Sequence, residues 1–217
     1  MQAELCLFDL DGTLLDTQND YLAADRYMRG VYELEPLPMK VAVQLASAGL
    51  RAVIKAAFLN THGKMPADEL VEEAYQLNIK YYMEHIADHA QLYPGVKRVL
   101  QQLQMQGKVL AVVSNKNTTA SEKLLKLMDL AQYFSLIAGD DANMAIKPAP
   151  DMLWYAMDKL GFTPAETVMV GDNFTDIEAA RRAGIRSIFF SNGYGSLQDE
   201  KADAVIGSMD EILNVIE

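Results

Sequence analysis

Leu5-Cys6-Leu7-Phe8-Asp9-Leu10-Asp11-Gly12-Thr13 passes from an apolar run straight into an acidic, glycine-containing turn. Residues 3 to 9 suit a short strand, and Asp11 with Gly12 supplies the turn that stops it. Three comparable apolar runs follow, at Lys108 to Val113, Thr167 to Val170 and Arg186 to Phe190. The last two flank a helix-like stretch, Phe174 to Ala183, and strand, helix, strand in that rhythm predicts a parallel α/β sheet. Cys6, the single cysteine, sits inside the first apolar run, where a small buried thiol is the plain reading and no disulfide can form within the chain.

Between Leu14 and about Leu92 the pattern changes. Asn19 to Glu33, Val41 to Leu59 and Asp68 to His89 read as long helices broken at Pro36, Pro38, Gly63 and Pro66. A helical block of roughly 75 residues exceeds an ordinary connection several-fold, so it reads as an insert after the first strand. The expected division is an α/β core domain of residues 1–16 and 90–217 and an α-helical domain of residues 17–89. In the core, Gly95 to Gln106, Thr118 to Met128 and Asp151 to Leu160 read as helices, Ser135 to Ala138 and Ala204 to Ile206 as short strands, and a last helix starts at Ser208.

With 217 residues, 50% hydrophobic and 23% charged, the chain can fill a core without disulfides or metal staples. Nineteen Lys and Arg against thirty Asp and Glu give a net charge of −11. Such a surface repels nucleic acid and anionic lipid, while a local group of donors or a cation still lets a small anion into one cleft. No stretch reaches about 18 apolar residues and no basic start precedes a long apolar region, so a soluble, cytoplasmic protein is expected. The oligomeric state is left open.

Four short motifs fall where successive strands should end, the place at which an open parallel sheet holds its ligands. They are Asp9-Leu10-Asp11-Gly12-Thr13, Ser114-Asn115, Lys147-Pro148 and Gly171-Asp172-Asn173-Phe174-Thr175-Asp176. Together they resemble the haloacid dehalogenase superfamily of phosphohydrolases, over essentially the whole chain. The resemblance implies a doubly wound, Rossmann-like core with a helical cap, hinged near residues 15 to 18 and 86 to 92. The ending Asn192-Gly193-Tyr194-Gly195 with Ala202 to Ile206 resembles the phosphoglycolate-phosphatase-like members.

Two carboxylates at i and i+2 past a strand can project to one side, one for attack and one for proton transfer. The expected roles are Asp9 as nucleophile, forming an aspartyl-phosphate, and Asp11 as general acid and base. Asp172 and Asp176 add hard oxygen donors without His or Cys, which suits Mg²⁺. By resemblance the metal ligands are Asp9, the backbone carbonyl of Asp11, and Asp172, with Asp176 as ligand or supporting partner. Lys147 would neutralise nucleophile and phosphate, and Ser114 and the Asn115 amide would donate to phosphate oxygens. Gly12 and Thr13 belong to the same cradle, Gly12 by allowing close backbone approach. Arg51, following Gly49 in an apolar run, is preferred over Arg26, Arg29 and Lys55 as a substrate contact from the insert.

Plainer readings stand beside these: an acidic turn at Asp9 to Asp11, a helix cap at Asp172 or Asn173, a simple turn at Ser114-Asn115 and a surface lysine at Lys147. His85 and His89 would share one helix face but lack a third metal ligand. The expected activity is a Mg²⁺-dependent phosphomonoesterase acting on a small phosphorylated metabolite, phosphoglycolate-like. Alternatives are a phosphomutase of the same fold and a pyrophosphatase or nucleotidase. A dehalogenase has no need of Asp11, a phosphonate hydrolase would want a Schiff-base lysine such as Lys40 or Lys55, and a non-catalytic binding module would not need every chemical group to be present.

Overall fold

The computed structural model describes residues 1–38, 41, 50–140 and 144–216. Along the chain run β1 (Leu5–Phe8), β2 (Leu15–Asp16), β3 (Gln91–Leu92), β4 (Val109–Val113), β5 (Leu136–Ala138), β6 (Thr167–Gly171), β7 (Arg186–Phe190) and β8 (Ala204–Ile206). The helices are α1 (Gln18–Val31), α2 (Leu50–His62), α3 (Asp68–Glu84), α4 (Val96–Met105), α5 (Thr118–Leu127), α6 (Asp151–Leu160), α7 (Phe174–Ala183) and α8 (Ile212–Val215). Among the described residues, six strands form one sheet in the order β5-β4-β1-β6-β7-β8, every neighbouring pair parallel. This is the expected doubly wound α/β sheet.

β1 lies in the interior of the sheet, with Leu5 beside Val109 on one side and Thr167 on the other. Its four side chains are all buried, which is why the sequence there is continuously apolar rather than alternating. Each such side chain contributes about 1.5–3 kcal/mol of burial. Leu5 and Leu7 pack with Val113, Met152, Leu153, Met169 and Ala180 in one core cluster. β2 and β3 pair antiparallel as a separate two-stranded ribbon, Leu15 beside Leu92.

The chain divides into two compact units, Met1–Gln18 with His89–Glu217, and Asn19–Asp88. The second unit has its own core, in which Met28, Ile54, Phe58, Val71 and Ala74 are buried together. Charged residues of this unit pair locally, Arg29 with Asp25 half-buried and Arg51 with Glu72 and Lys55 with Asp68 at the surface. Among the described residues no helix is long and apolar enough to cross a membrane.

Three expected helices differ in extent. The one read from Val41 is described from Leu50 and runs on to His62; residues 42–49, including Gly49, lie outside the described residues, as do Met39 and Lys40. The one read as Asn19 to Glu33 ends at Val31, and Glu33 has φ of 52°. The one read to His89 stops at Glu84, where the backbone at His85 turns to φ −116°, ψ 23°. The Asp88 amide closes a turn onto the His85 carbonyl, and the His85 ring meets Asp88 at 2.7 Å. His85 and His89 therefore do not share a helix face.

Candidate active site

All four motifs lie at the C-terminal ends of β1, β4 and β6 or in the loop after β5, as a parallel sheet requires of a ligand site. The Asp9 amide donates to Val170 across the β1–β6 edge at 2.9 Å, so the first acidic side chain leaves the sheet beside the loop that carries Asp172. Carboxylate oxygens of Asp9, Asp172 and Asp176 come within 4.8 Å of one another, all three residues buried. Between them reaches Lys147, whose Nζ donates to Asp9 Oδ1 at 2.7 Å, Asp176 Oδ1 at 2.6 Å and the Val113 carbonyl at 2.7 Å. An ammonium has three protons, and each has a partner here.

The electrostatics follow from burial. Loss of hydration, with the Asp176 and Asp172 charges added and Lys147 opposing, pushes Asp9 up to about 8. Burial likewise raises Asp172 to about 6, assisted by Asp176 and opposed by hydrogen bonds from Gly195 and Thr13. For Lys147 burial disfavours the charge, but Asp176 and Asp9 outweigh it and hold its pKa above the ordinary lysine value. With all three carboxylates ionised, one ammonium leaves two negative charges, the amount a divalent cation balances. All-oxygen donors of this kind suit a hard cation, so the residues fit a divalent metal.

Asp172 is fixed from two sides, accepting from Thr13 Oγ1 at 3.0 Å and from the Gly195 amide at 2.7 Å. Gly12 has φ of +92°, and a Cβ there would lie 2.3 Å from Asp172 Oδ2; no other residue combines that backbone with that approach. Asp176 serves twice. Its Oδ2 accepts from the Asn173 amide at 3.0 Å, completing the N-terminal box of α7, while Oδ1 faces Lys147. Asn173 is the helix cap, which leaves Asp172 to the site.

The second motif also braces the site. The Asn115 side chain clamps the Lys147 backbone, donating to its carbonyl and accepting from its amide, both at 2.8 Å. Ser114 is buried, and its Oγ accepts from the Lys116 amide at 3.2 Å.

Asp11 does not join the carboxylate cluster. Lys116 Nζ donates to its two oxygens at 2.9 and 2.7 Å, and Thr17 Oγ1 donates to Oδ1 at 2.7 Å. The Tyr194 hydroxyl lies 3.2 Å from Thr17 Oγ1. Tyr194 is exposed overall, but loss of hydration around its hydroxyl, together with the Asp11 charge, raises its pKa, so it is a neutral hydroxyl. Lys116, Thr17 and Tyr194 are absent from the expected site residues. The available signal was position: Lys116 directly follows Ser114-Asn115, and Tyr194 lies in the glycine-rich loop after β7. Arg51 belongs to the helical unit, where its guanidinium forks onto Glu72 at 2.9 and 3.1 Å and stacks 3.5 Å from the centre of the Tyr75 ring.

Residues 6–190 match the haloacid dehalogenase-like hydrolase family. The chain belongs to this family. A phosphoglycolate phosphatase of Neisseria meningitidis is 38% identical, the alignment covering 94% of this chain and 90% of that protein. An N-acetylmuramic acid 6-phosphate phosphatase of Pseudomonas aeruginosa is 30% identical over 100% and 96%. Among solved structures, a predicted phosphoglycolate phosphatase of Haemophilus somnus superposes with a TM-score of 0.89 at 27% identity, covering 99% of this chain and 98% of that one. As a haloacid dehalogenase-like hydrolase, the chain carries all four motifs at the strand ends and loops of its parallel sheet.

Proposed function

We propose that this chain is a Mg²⁺-dependent phosphomonoesterase that hydrolyses a small phosphorylated metabolite of the 2-phosphoglycolate type through an aspartyl-phosphate. The reading rests above all on the buried ion pair of Lys147 with Asp9 at the end of β1. An ammonium held against a carboxylate opposes its protonation and aims it, as a nucleophile requires, and stands ready for the charge of an incoming phosphate. Relatives named as phosphoglycolate phosphatases supply the substrate class.

In this mechanism Asp9 attacks phosphorus in line and the P–O bond to the alcohol breaks, while Asp11 gives its proton to the departing oxygen. Asp11 then takes a proton from water as the water attacks the aspartyl-phosphate, releasing phosphate and restoring Asp9. Lys147 offsets negative charge on the reacting oxygens throughout. Asp9, Asp172 and the Asp11 backbone would hold the cation, with Asp176 behind them; a bound divalent cation supplies further charge neutralisation of the phosphoryl oxygens. Gly12, Thr13, Ser114 and the Asn115 amide line the phosphate side. The helical unit, inserted between the first motif and β3, is assigned the part of a cap that excludes bulk water, acting in the cytoplasm on small molecules.

The test is phosphate release from 2-phosphoglycolate with and without Mg²⁺, for the wild type and Asp9→Asn. Turnover that needs both Mg²⁺ and Asp9 is expected. Turnover surviving Asp9→Asn, or conversion of a hexose 1-phosphate to its 6-phosphate with little free phosphate, would overturn the reading.

A further inference from the structure

Among the described residues the buried cations are Lys147 and Lys116. Lys147 is fully committed to Asp9, Asp176 and Val113. Lys116 lies elsewhere in the site: its side chain is 3% exposed and faces Asp11, the residue assigned to the leaving oxygen. Removing an ammonium from water costs several kcal/mol, and a proton donor to a simple alcohol needs no such neighbour. Its place makes sense for a substrate that brings a negative charge of its own close to the ester oxygen.

We propose that Lys116 is a specificity residue that binds a carboxylate carried on the ester carbon of the substrate; this rests on the phosphomonoesterase reading above. The distances permit it. With the leaving oxygen within hydrogen-bond reach of Asp11, Lys116 Nζ, at 2.7 Å from Asp11 Oδ2, lies no more than about 5.5 Å from that oxygen. In a phosphate ester of a 2-hydroxy acid, a carboxylate oxygen sits roughly 3 Å from the ester oxygen, three bonds away. An ion pair of ordinary length spans the remainder. Substrate binding thus exchanges one carboxylate partner of Lys116 for another, and the Asp11 oxygen so released turns to the ester. Thr17 keeps hold of Asp11 during the exchange. On a chain with net charge −11, a carboxylate needs a dedicated cation of this kind to enter at all. An alcohol without a carboxylate gains nothing from it, which separates 2-phosphoglycolate from esters of the same size.

The experiment compares kcat/KM for 2-phosphoglycolate, its carboxyl methyl ester and ethyl phosphate, in the wild type and in Lys116→Met and Lys116→Arg. The wild type is expected to favour the free carboxylate over both other esters by at least about 30-fold, the worth of one charge-assisted hydrogen bond. Lys116→Met should lower that ratio about 30-fold, mostly through KM, whatever loss is common to all three esters, and Lys116→Arg should retain most of it. A wild type with no preference for the carboxylate overturns the proposal without recourse to any variant. So does a Lys116→Met protein that melts cooperatively and loses activity equally on all three. A wild type that releases phosphate from none of them overturns the phosphomonoesterase reading itself and this assignment with it.

Discussion

In the helical unit Arg51, Lys55 and Arg29 meet Glu72, Asp68 and Asp25 at or near the solvent boundary, whereas in the sheet unit Lys147 and Lys116 are buried against Asp9, Asp176 and Asp11. The exposed pairs among them, Arg51–Glu72 and Lys55–Asp68, typically contribute 0 to about 1 kcal/mol and could be removed singly with little effect. Buried pairs often stabilise a fold less than apolar residues of equal volume would. The two regions thus differ in what their charges are for. The helical unit stands on its apolar core, with charge as surface dressing. The sheet unit carries unfavourable charge at its strand ends, where chemistry accounts for it.

Replacing the carboxylate that carries the most unfavourable charge should give the largest effect. Asp9→Asn is expected to lower turnover of 2-phosphoglycolate and p-nitrophenyl phosphate by about 10⁴-fold or more and yet raise the melting temperature of the metal-free protein. Activity and stability moving together there would break the contrast. Lys147→Met should come next, lowering turnover by about 10³-fold and, unlike Asp9→Asn, destabilising the protein by about 3–5 kcal/mol, because it leaves two buried carboxylates without their cation; denaturant unfolding reads both.

The contrast is sharpened by pH. A carboxylate pushed up to about 8, as Asp9 is, binds its proton more tightly folded than unfolded. The metal-free wild type should therefore lose stability as pH rises from about 4 to about 8 and then level off. Melting curves across that range should flatten in Asp9→Asn and on addition of Mg²⁺. A smaller effect is expected from Thr13→Val, which removes one of the two hydrogen bonds that orient Asp172; the Mg²⁺ concentration for half-maximal activity should rise about tenfold. Smallest of all, Arg51→Ala should cost about 1 kcal/mol or less and change kcat/KM less than about fivefold. A hundredfold loss would move substrate recognition into the helical unit.

The parts of this arrangement legible in the sequence are those dictated locally. β1, β4, β6 and β7 are read from continuous apolar runs because interior parallel strands are covered on both faces. Asp9, Lys147 and Asp172 stand out because they follow such runs or a Pro-marked loop. Lys116 is not assigned to the site from sequence because its partner Asp11 lies 105 residues away, and Tyr194 is read only as part of the chain's ending motif because Thr17 lies 177 residues away; pairings at that range are properties of the sheet order. Asn115 was assigned by its backbone amide, while its side chain does a job visible only when Lys147 is beside it. The end of α3 was missed for the opposite reason. Ile86 continues the helical apolar spacing and is buried, but the local His85–Asp88 contact breaks the helix before it.

The interior position of β1 also bears on how the molecule comes into being. β1 has both of its ladders filled by segments more than a hundred residues further along the chain, at Val109 and Thr167. Until those arrive, its peptide groups have only water or improper partners, and closure across such long loops is slow. Asp9, the nucleophile proposed above, thus becomes competent only when both ladders have closed, so a truncated product ending before β6 should be inert toward 2-phosphoglycolate.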